Sequence, residues 1–187
     1  MGILGQLFTP VAYLRIRHPV KAWFDWYIPL LLTALCVGFI LVAPKPIKLF
    51  GDHGLVFIIT DLIKMLTGFY IAALAAVATF PRDSMDELIK GEPVTLSVKR
   101  KGVAKRSELS RRRFLSYLFG YLAFMGLALY FAGAVSSLLV PNLALLQLKW
   151  WGVLLKWCFV FGYLFFTINL LTTTLLGLHF LTDRIHR

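Results

Sequence analysis

Four long runs of apolar residues, separated by charges and prolines, constrain this chain more than any other feature of its sequence. The runs cover residues 27–43, 55–80, 114–140 and 151–181. A helix needs roughly 20 apolar residues to cross the hydrocarbon of a bilayer, with a range of about 17–25. Apolar residues within the runs do not alternate with polar ones, as the strands of a membrane β-barrel would require. The runs therefore predict an all-α membrane protein with four transmembrane helices.

The overall composition also favours a membrane protein and argues against several soluble classes. Hydrophobic residues make up 59% of the 187 residues and charged residues 16%, whereas soluble domains average about 45–50% and about 25%. The two cysteines, Cys36 and Cys158, both lie inside apolar runs, so a disulfide scaffold is not expected. Metal-ligand sets, cofactor-binding motifs and catalytic motifs do not occur. We therefore expect no metal, no cofactor and no enzymatic activity.

The distribution of basic residues predicts how the helices are oriented. Of the 20 Lys and Arg residues, fifteen lie before the first run, in the loop 81–113 or after the fourth run, and three lie in the other two loops. Cytoplasmic loops of membrane proteins carry such an excess of positive charge. We expect the loop and both termini to be cytoplasmic. Residues 1–26 would form a cytoplasmic or interfacial segment, either an amphipathic helix or an irregular leader, and residues 27–187 the transmembrane domain.

The loop between the second and third runs has a predicted structure of its own. Its segment 84–87, Ser-Met-Asp-Glu, matches a capping box and predicts a short helix. Alternation of Val94, Leu96 and Val98 with polar residues predicts a short strand. We expect that strand to pair with the same segment of another copy or with a strand of a soluble protein.

The same loop concentrates positive charge next to the third run. Between residues 99 and 113 it holds eight basic residues and one acidic residue, the basic ones being Lys99, Arg100, Lys101, Lys105, Arg106, Arg111, Arg112 and Arg113. Clusters of this size beside a span bind anionic lipids, and their charge also suits an acidic cytosolic protein. Aromatic residues for base stacking are not interleaved with them, so direct nucleic-acid binding is not expected. Residues 107–113 would begin the helix of the third span.

Three charged residues fall inside the apolar runs. Asp61 and Lys64 lie three positions apart in the second run, and Lys156 lies early in the fourth. Charges at membrane depth are costly and are often functional. These residues could form an ion- or proton-conducting position. Alternatively, Asp61 could form a bridge with Lys64 or Lys156 that only fixes the packing of the helices.

Small and polar residues within the runs predict contacts between helices. Stripes of small residues at four-residue spacing are formed by Gly68, Ala72 and Ala76 and by Ala128, Ala132 and Ser136. Such stripes let membrane helices approach closely, and we expect contact within one chain, with contact between copies as the alternative. Interhelical hydrogen bonds are expected from Asn169, Thr172, Thr173 and Thr174.

This layout resembles the membrane subunit of the Kiwa anti-phage defence system, a small bacterial protein with four predicted spans and cytoplasmic termini. The resemblance extends over the whole chain and includes the loop 81–113 followed by residues 114–121. It implies a homo-oligomer in the bacterial inner membrane that senses phage attack at the envelope. It also implies a soluble, DNA-binding partner subunit.

These observations together predict a non-enzymatic sensor or scaffold of the inner membrane. It would oligomerise and recruit a soluble cytosolic effector through its basic loop, in anti-phage defence. An ion channel or holin-like pore built around Asp61, Lys64 and Lys156 is the alternative. A small transporter is a second alternative, less favoured because the runs hold only one acidic residue and no pair of broken helices.

Overall fold

The computed structural model describes residues 9–17, 22–79, 87, 95–100, 103–145 and 149–184. Within these ranges, four helical spans are long and apolar enough to cross a membrane, namely Trp23–Val42, Leu55–Thr79, Arg111–Val140 and Trp150–His179. The prediction of a helical protein with four membrane-length helices is therefore confirmed.

The elements follow one another in a simple order along the chain. A 3-10 helix at Thr9–Arg15 leads into strand β1 at Ile16–Arg17, and a π-helix at Trp23–Tyr27 leads into helix α1 at Ile28–Val42. Helix α2 is Leu55–Thr79, strand β2 is Thr95–Arg100 and strand β3 is Val103–Glu108. Helix α3 is Arg111–Leu145 and helix α4 is Lys149–Arg184.

The bounds of α3 differ from the prediction at both ends. The helix begins at Arg111 rather than at residue 107, because residues 103–108 form a strand. It also continues through Pro141, whereas the third span was expected to end just before this proline. A proline removes one backbone donor, and membrane helices tolerate that loss when neighbouring groups satisfy the freed carbonyl.

The helices pack in a fixed sequence of neighbours. Helix α2 lies along α3, α3 packs against α4, and α4 packs against α1. The main core includes the fully buried side chains Tyr70, Leu115, Leu118, Leu122 and Leu170. Outward-facing positions are also apolar, for example Leu35, Phe39 and Phe131. An apolar exterior of this kind suits contact with lipid tails.

Two glycines of α3 set the close approach between α2 and α3. A Cβ atom at Gly126 would collide with the Thr67 hydroxyl, and one at Gly133 would collide with the Thr60 hydroxyl and lie 2.8 Å from the Tyr163 hydroxyl. Small residues allow such proximity in membrane helices. The helices therefore meet at Gly126 and Gly133.

The two predicted small-residue stripes differ in whether they pack within the chain. Gly68 and Ala72 on α2 are exposed, and a Cβ atom at Gly68 would meet nothing within 4 Å. The expectation of contact within one chain is therefore wrong for these two residues, because α2 turns another face to α3. On α3, Ser136 is buried and Ala132 packs against the core, whereas Ala128 is exposed.

A small antiparallel sheet in the order β1–β2–β3 forms outside the helices. Ile16 pairs with Leu96 and Arg17 with Thr95, and β2 pairs with β3 from Thr95 opposite Glu108 to Arg100 opposite Val103. Both neighbours of β2 belong to its own chain, in place of the expected second copy or soluble protein. The reason is that β3 follows after two residues, so closing the hairpin costs little chain entropy. Val94 and the predicted helix from residue 84, apart from Glu87, lie outside the described residues.

Candidate functional site at the hairpin end

The N-terminal segment attaches to the helices through Tyr13. We call residues 9–17 the strap and the pair β2–β3 the hairpin. The hairpin end is the end of the bundle at which the strap and the hairpin meet the helices. The Tyr13 side chain is 0% exposed, and its ring stacks on that of Tyr121 in α3, with centroids 4.9 Å apart. Burial raises the pKa of the Tyr13 hydroxyl above its usual value, and the charge of the nearby Asp25 carboxylate raises it further. Tyr13 is therefore held in its neutral form.

Asp25 lies in the π-helix that precedes α1 and is buried. Asn169 of α4 donates from Nδ2 to the Asp25 backbone carbonyl at 2.7 Å, and Tyr121 donates to Asn169 Oδ1 at 2.9 Å. Thr172 donates to the Phe24 carbonyl at 3.0 Å. Single turns of π-helix are rare and are frequently found at functional sites in proteins. Side chains of α3 and α4 thus hold this π-turn and its acidic residue in place.

The polar residues of α4 make the interhelical contacts that their types predict. Besides the Asn169 and Thr172 bonds, Thr174 Oγ1 lies 2.6 Å from the hydroxyl of Tyr70 in α2. The Thr173 hydroxyl is buried and makes no hydrogen bond to another described residue. The prediction is confirmed for three of these four residues, because their side chains face either the π-turn or α2.

The strap connects this buried cluster to the hairpin. Three residues after Tyr13, Ile16 is also buried and pairs with Leu96 of β2. On the other side, Leu109 follows β3 directly and is 1% exposed in the main core. The hairpin is therefore tied to the helices at both of its strands.

The register of the hairpin spreads the basic residues along both strands. Lys99 and Arg100 of β2 lie opposite Ala104 and Val103, while Lys105 and Arg106 of β3 lie opposite Val98 and Ser97. Like charges directly opposite each other would weaken the pairing, and this register avoids them. Lys101 lies outside the described residues.

The three arginines at the start of α3 do not share one role. Arg111 is buried, and Arg112 donates from Nη1 to the Val77 carbonyl of α2 at 3.1 Å. The last carbonyls of a helix have no helical donor and attract cations, which explains the Arg112 contact. Only Arg113 is exposed. The expectation that all three bind a partner or lipid is therefore corrected for Arg111 and Arg112.

The predicted intramembrane charges lie away from the hairpin end. Lys64 Nζ lies 2.7 Å from Asp61 Oδ1, and the two side chains are 64% and 65% exposed. Lys156 is exposed on α4. Asp61 pairs with Lys64 of its own helix rather than with Lys156, because α2 directs Asp61 away from its neighbours. A single chain does not gather the three charges into one channel.

No protein-family model, curated protein or solved structure matches this chain. The hairpin end combines buried polar groups, among them Asp25 and Asn169, with the basic hairpin.

Sequence reasoning missed Tyr13, Asp25 and Tyr121 as members of this site. A usable signal was present, because Asp25 is the one acidic residue among the first 51 residues of the chain. An acid placed between aromatic residues at a membrane boundary needs a polar partner when it is buried. Nothing in the spacing of residues identifies Tyr13 and Tyr121 as its neighbours, since they lie in different elements.

Proposed function

We propose that this protein is a non-enzymatic sensor or scaffold of the bacterial inner membrane that forms homo-oligomers and recruits a soluble cytosolic effector. In this proposal the termini and the hairpin lie in the cytoplasm. The observation that carries it is the basic hairpin, in which Lys99, Arg100, Lys105 and Arg106 occupy two paired six-residue strands. These strands lie outside the membrane-length helices.

The paired strands favour a protein partner over lipid alone. A polybasic segment needs no fold to bind anionic headgroups, whereas the hairpin holds its cationic residues at fixed register positions. A fixed pattern of charge selects among partners by electrostatic complementarity. We therefore assign the hairpin to an acidic surface on a soluble effector, and we assign anionic lipids to the exposed Arg113 at the start of α3.

The connection through the strap supports a sensing role. Tyr13 contacts α3 and lies near Asp25 of the π-turn, and the same strap supplies β1 to the sheet. A rearrangement of the helices at the hairpin end would therefore move the strap and, with it, the strand that pairs with β2. Coupling between sites travels through contiguous contacts of this kind.

The resemblance to the membrane subunit of the Kiwa system supports a role in anti-phage defence. It also supports an effector that binds DNA itself, so that the membrane protein needs no direct contact with nucleic acid. The pore alternative has weaker support, because Asp61, Lys64 and Lys156 are all exposed on the outside of a single chain.

The proposal is tested by removing the charge of the hairpin. In the test variant, Ser replaces Lys99, Arg100, Lys101, Lys105 and Arg106. Wild-type protein purified from native cells in mild detergent should carry a stoichiometric soluble chain, visible in the intact mass of the complex, and the variant should lose it. A control with Lys45→Ser and Lys149→Ser, at the opposite end of the bundle, should retain it. Equal recovery of the soluble chain in the test variant would reject the docking role.

A further inference from the structure

Helix α2 has two faces of different character. Its buried face carries Val56, Ile63, Thr67, Tyr70 and Val77. The opposite face, called here the outer face of α2, carries Asp61, Lys64, Gly68 and Ala72, all of them exposed. Nothing within the described part of the chain covers this outer face.

The outer face contains an ion pair at membrane depth. Asp61 and Lys64 follow the start of α2 by six and nine residues, which corresponds to about 9 Å and about 13.5 Å along the helix. The hydrocarbon of a bilayer is about 30 Å thick, so lipid tails would surround the pair in an isolated chain. Polar groups in hydrocarbon are unfavourable even when they are paired. Because the two side chains are 64% and 65% exposed, we expect another protein surface to cover them in the membrane.

The backbone next to this ion pair is open to close approach. Gly68 lies one turn beyond Lys64, and a Cβ atom built on it would meet nothing within 4 Å. Ala72 follows after one further turn. Small residues at this spacing allow two membrane helices to pack with their backbones close together. The ion pair and the open backbone lie on the same side of α2.

We propose that the outer face of α2 binds the same face of a second copy of this chain, around a two-fold axis perpendicular to the membrane. Copies inserted in the same orientation place their α2 helices parallel, with the two Asp61 residues at equal depth. Lys64 is displaced from Asp61 by three residues, or about 4.5 Å, which a lysine side chain spans easily. Each Lys64 then contacts the carboxylate of its own chain and that of the second copy. This exchange, in which Lys64 of each copy meets Asp61 of the other, makes the face self-complementary.

This occupant fits the face better than lipid does. Lipid tails have no charge with which to complement the pair, and a different membrane protein would need an acid and a base at the same depth and spacing. A second copy carries both the acid and the base at that depth and spacing, because its sequence is the same. The interface deepens the homo-oligomeric part of the proposed function, and its tests measure self-association without any effector.

The first test introduces a large side chain at Gly68. Gly68→Ile should weaken self-association in lipid bilayers by at least roughly tenfold, because the side chain separates the two helices. Gly38→Ile in α1 and Gly162→Ile in α4 are matched controls, since a Cβ atom at either glycine also meets nothing within 4 Å. The controls should change self-association by less than about twofold. Single-molecule photobleaching counts the copies, and an unchanged copy number in Gly68→Ile would overturn the interface.

The second test uses the charges themselves. Asp61→Lys places four positive charges at the proposed interface and should abolish self-association. The double variant Asp61→Lys with Lys64→Asp restores a self-complementary pair and should recover it. Self-association that survives the single reversal, or that the double variant does not regain, would count against the proposed pairing.

The third test locates the contact directly in native membranes. In a background with Cys36→Ser and Cys158→Ser, Ala72→Cys should form disulfide-linked dimers on mild oxidation. Leu35→Cys on α1, where Leu35 is 61% exposed, should remain monomeric. Absence of a dimer, or a crosslink from position 72 to a different protein, would refute the proposal. Loss of the effector with retained dimers would instead reject only the docking role of the hairpin.

Discussion

Tyr13 lies stacked on Tyr121, with ring centroids 4.9 Å apart and ring planes 25° apart, and this contact holds the strap against α3. The same strap ends in β1, where Ile16 pairs with Leu96 of the hairpin. A buried aromatic contact therefore helps to link the helices to the sheet that contains the basic residues.

Removing the ring of Tyr13 should release the strap. Tyr13→Ala should destabilise strap docking by about 3–5 kcal/mol, the usual effect of truncating a buried aromatic residue. Hydrogen exchange of the amides in β2 should accelerate, as measured by mass spectrometry. Tyr13→Phe keeps the stacked ring and should have a smaller effect, about 1–3 kcal/mol for the lost hydroxyl interactions. Unchanged exchange in Tyr13→Ala would show that the strap does not support the hairpin.

Docking of the strap should depend on pH in the alkaline range. Since burial and Asp25 raise the pKa of Tyr13 above its ordinary value of 10.0, the bound strap favours the protonated hydroxyl. The resulting stability should be fully present below about pH 10 and should decline as the pH rises further. Near-ultraviolet circular dichroism can follow the release, and tyrosinate absorbance can follow ionisation. In Tyr13→Phe the part of this pH dependence that Tyr13 contributes should disappear, whereas ionisation of Tyr13 at its ordinary pKa would contradict the prediction.

Contact between α2 and α3 should be sensitive to one methyl group. Gly126→Ala should lower the free energy of unfolding by about 1–3 kcal/mol, the range for overpacked cores, because its Cβ would meet the Thr67 hydroxyl. Adding Thr67→Ala removes that hydroxyl and should recover most of the loss. Gly162→Ala, where nothing lies within 4 Å, should not lower stability. Unfolding by sodium dodecyl sulfate from mixed micelles provides the measurement, and a neutral Gly126→Ala would contradict the close approach.

Reconstituted protein should not conduct ions through Asp61. The Asp61 and Lys64 side chains form an ion pair on the outside of the chain, so we expect no stable single-channel current in planar bilayers. Asp61→Asn should leave the baseline current unchanged. A current in the wild type that this substitution abolishes would favour the pore alternative over the scaffold.

The hairpin should be protected from protease outside the cell. In the proposed orientation, trypsin added to intact spheroplasts should leave the segment 99–113 uncut, whereas inverted membrane vesicles should expose it to cleavage. Mass spectrometry of the fragments identifies the cut sites. Cleavage in intact spheroplasts would invert the proposed topology and remove the basis for recruiting a cytosolic effector.

The helical spans were predictable because hydrophobic length is a property of consecutive residues. The second run, predicted at 55–80, corresponds to α2 at Leu55–Thr79. The end of the third run was less predictable. A proline stops a helix in water more reliably than in a membrane, where the helix backbone has little alternative to its own hydrogen bonds, and α3 continues through Pro141.

The candidate site was predictable only in part. The basic residues could be identified from charge alone. The different roles of Arg112 and Arg113, however, depend on which of them faces the end of α2. Likewise, the spacing of Asp61 and Lys64 predicted an ion pair, while its exposure follows from the face that α2 turns toward α3.

By itself, the sequence determined the number of membrane-length helices, the concentration of positive charge between the second and third spans, and the polar residues of α4 that bond to other helices. These features depend on residue type and on distances along the chain. Only the tertiary structure decided that Tyr13 meets Tyr121, that β2 pairs within its own chain, and that Gly68 remains open while Gly126 is buried. Such contacts join residues that are distant in sequence, and their selection depends on the packing of all four helices together.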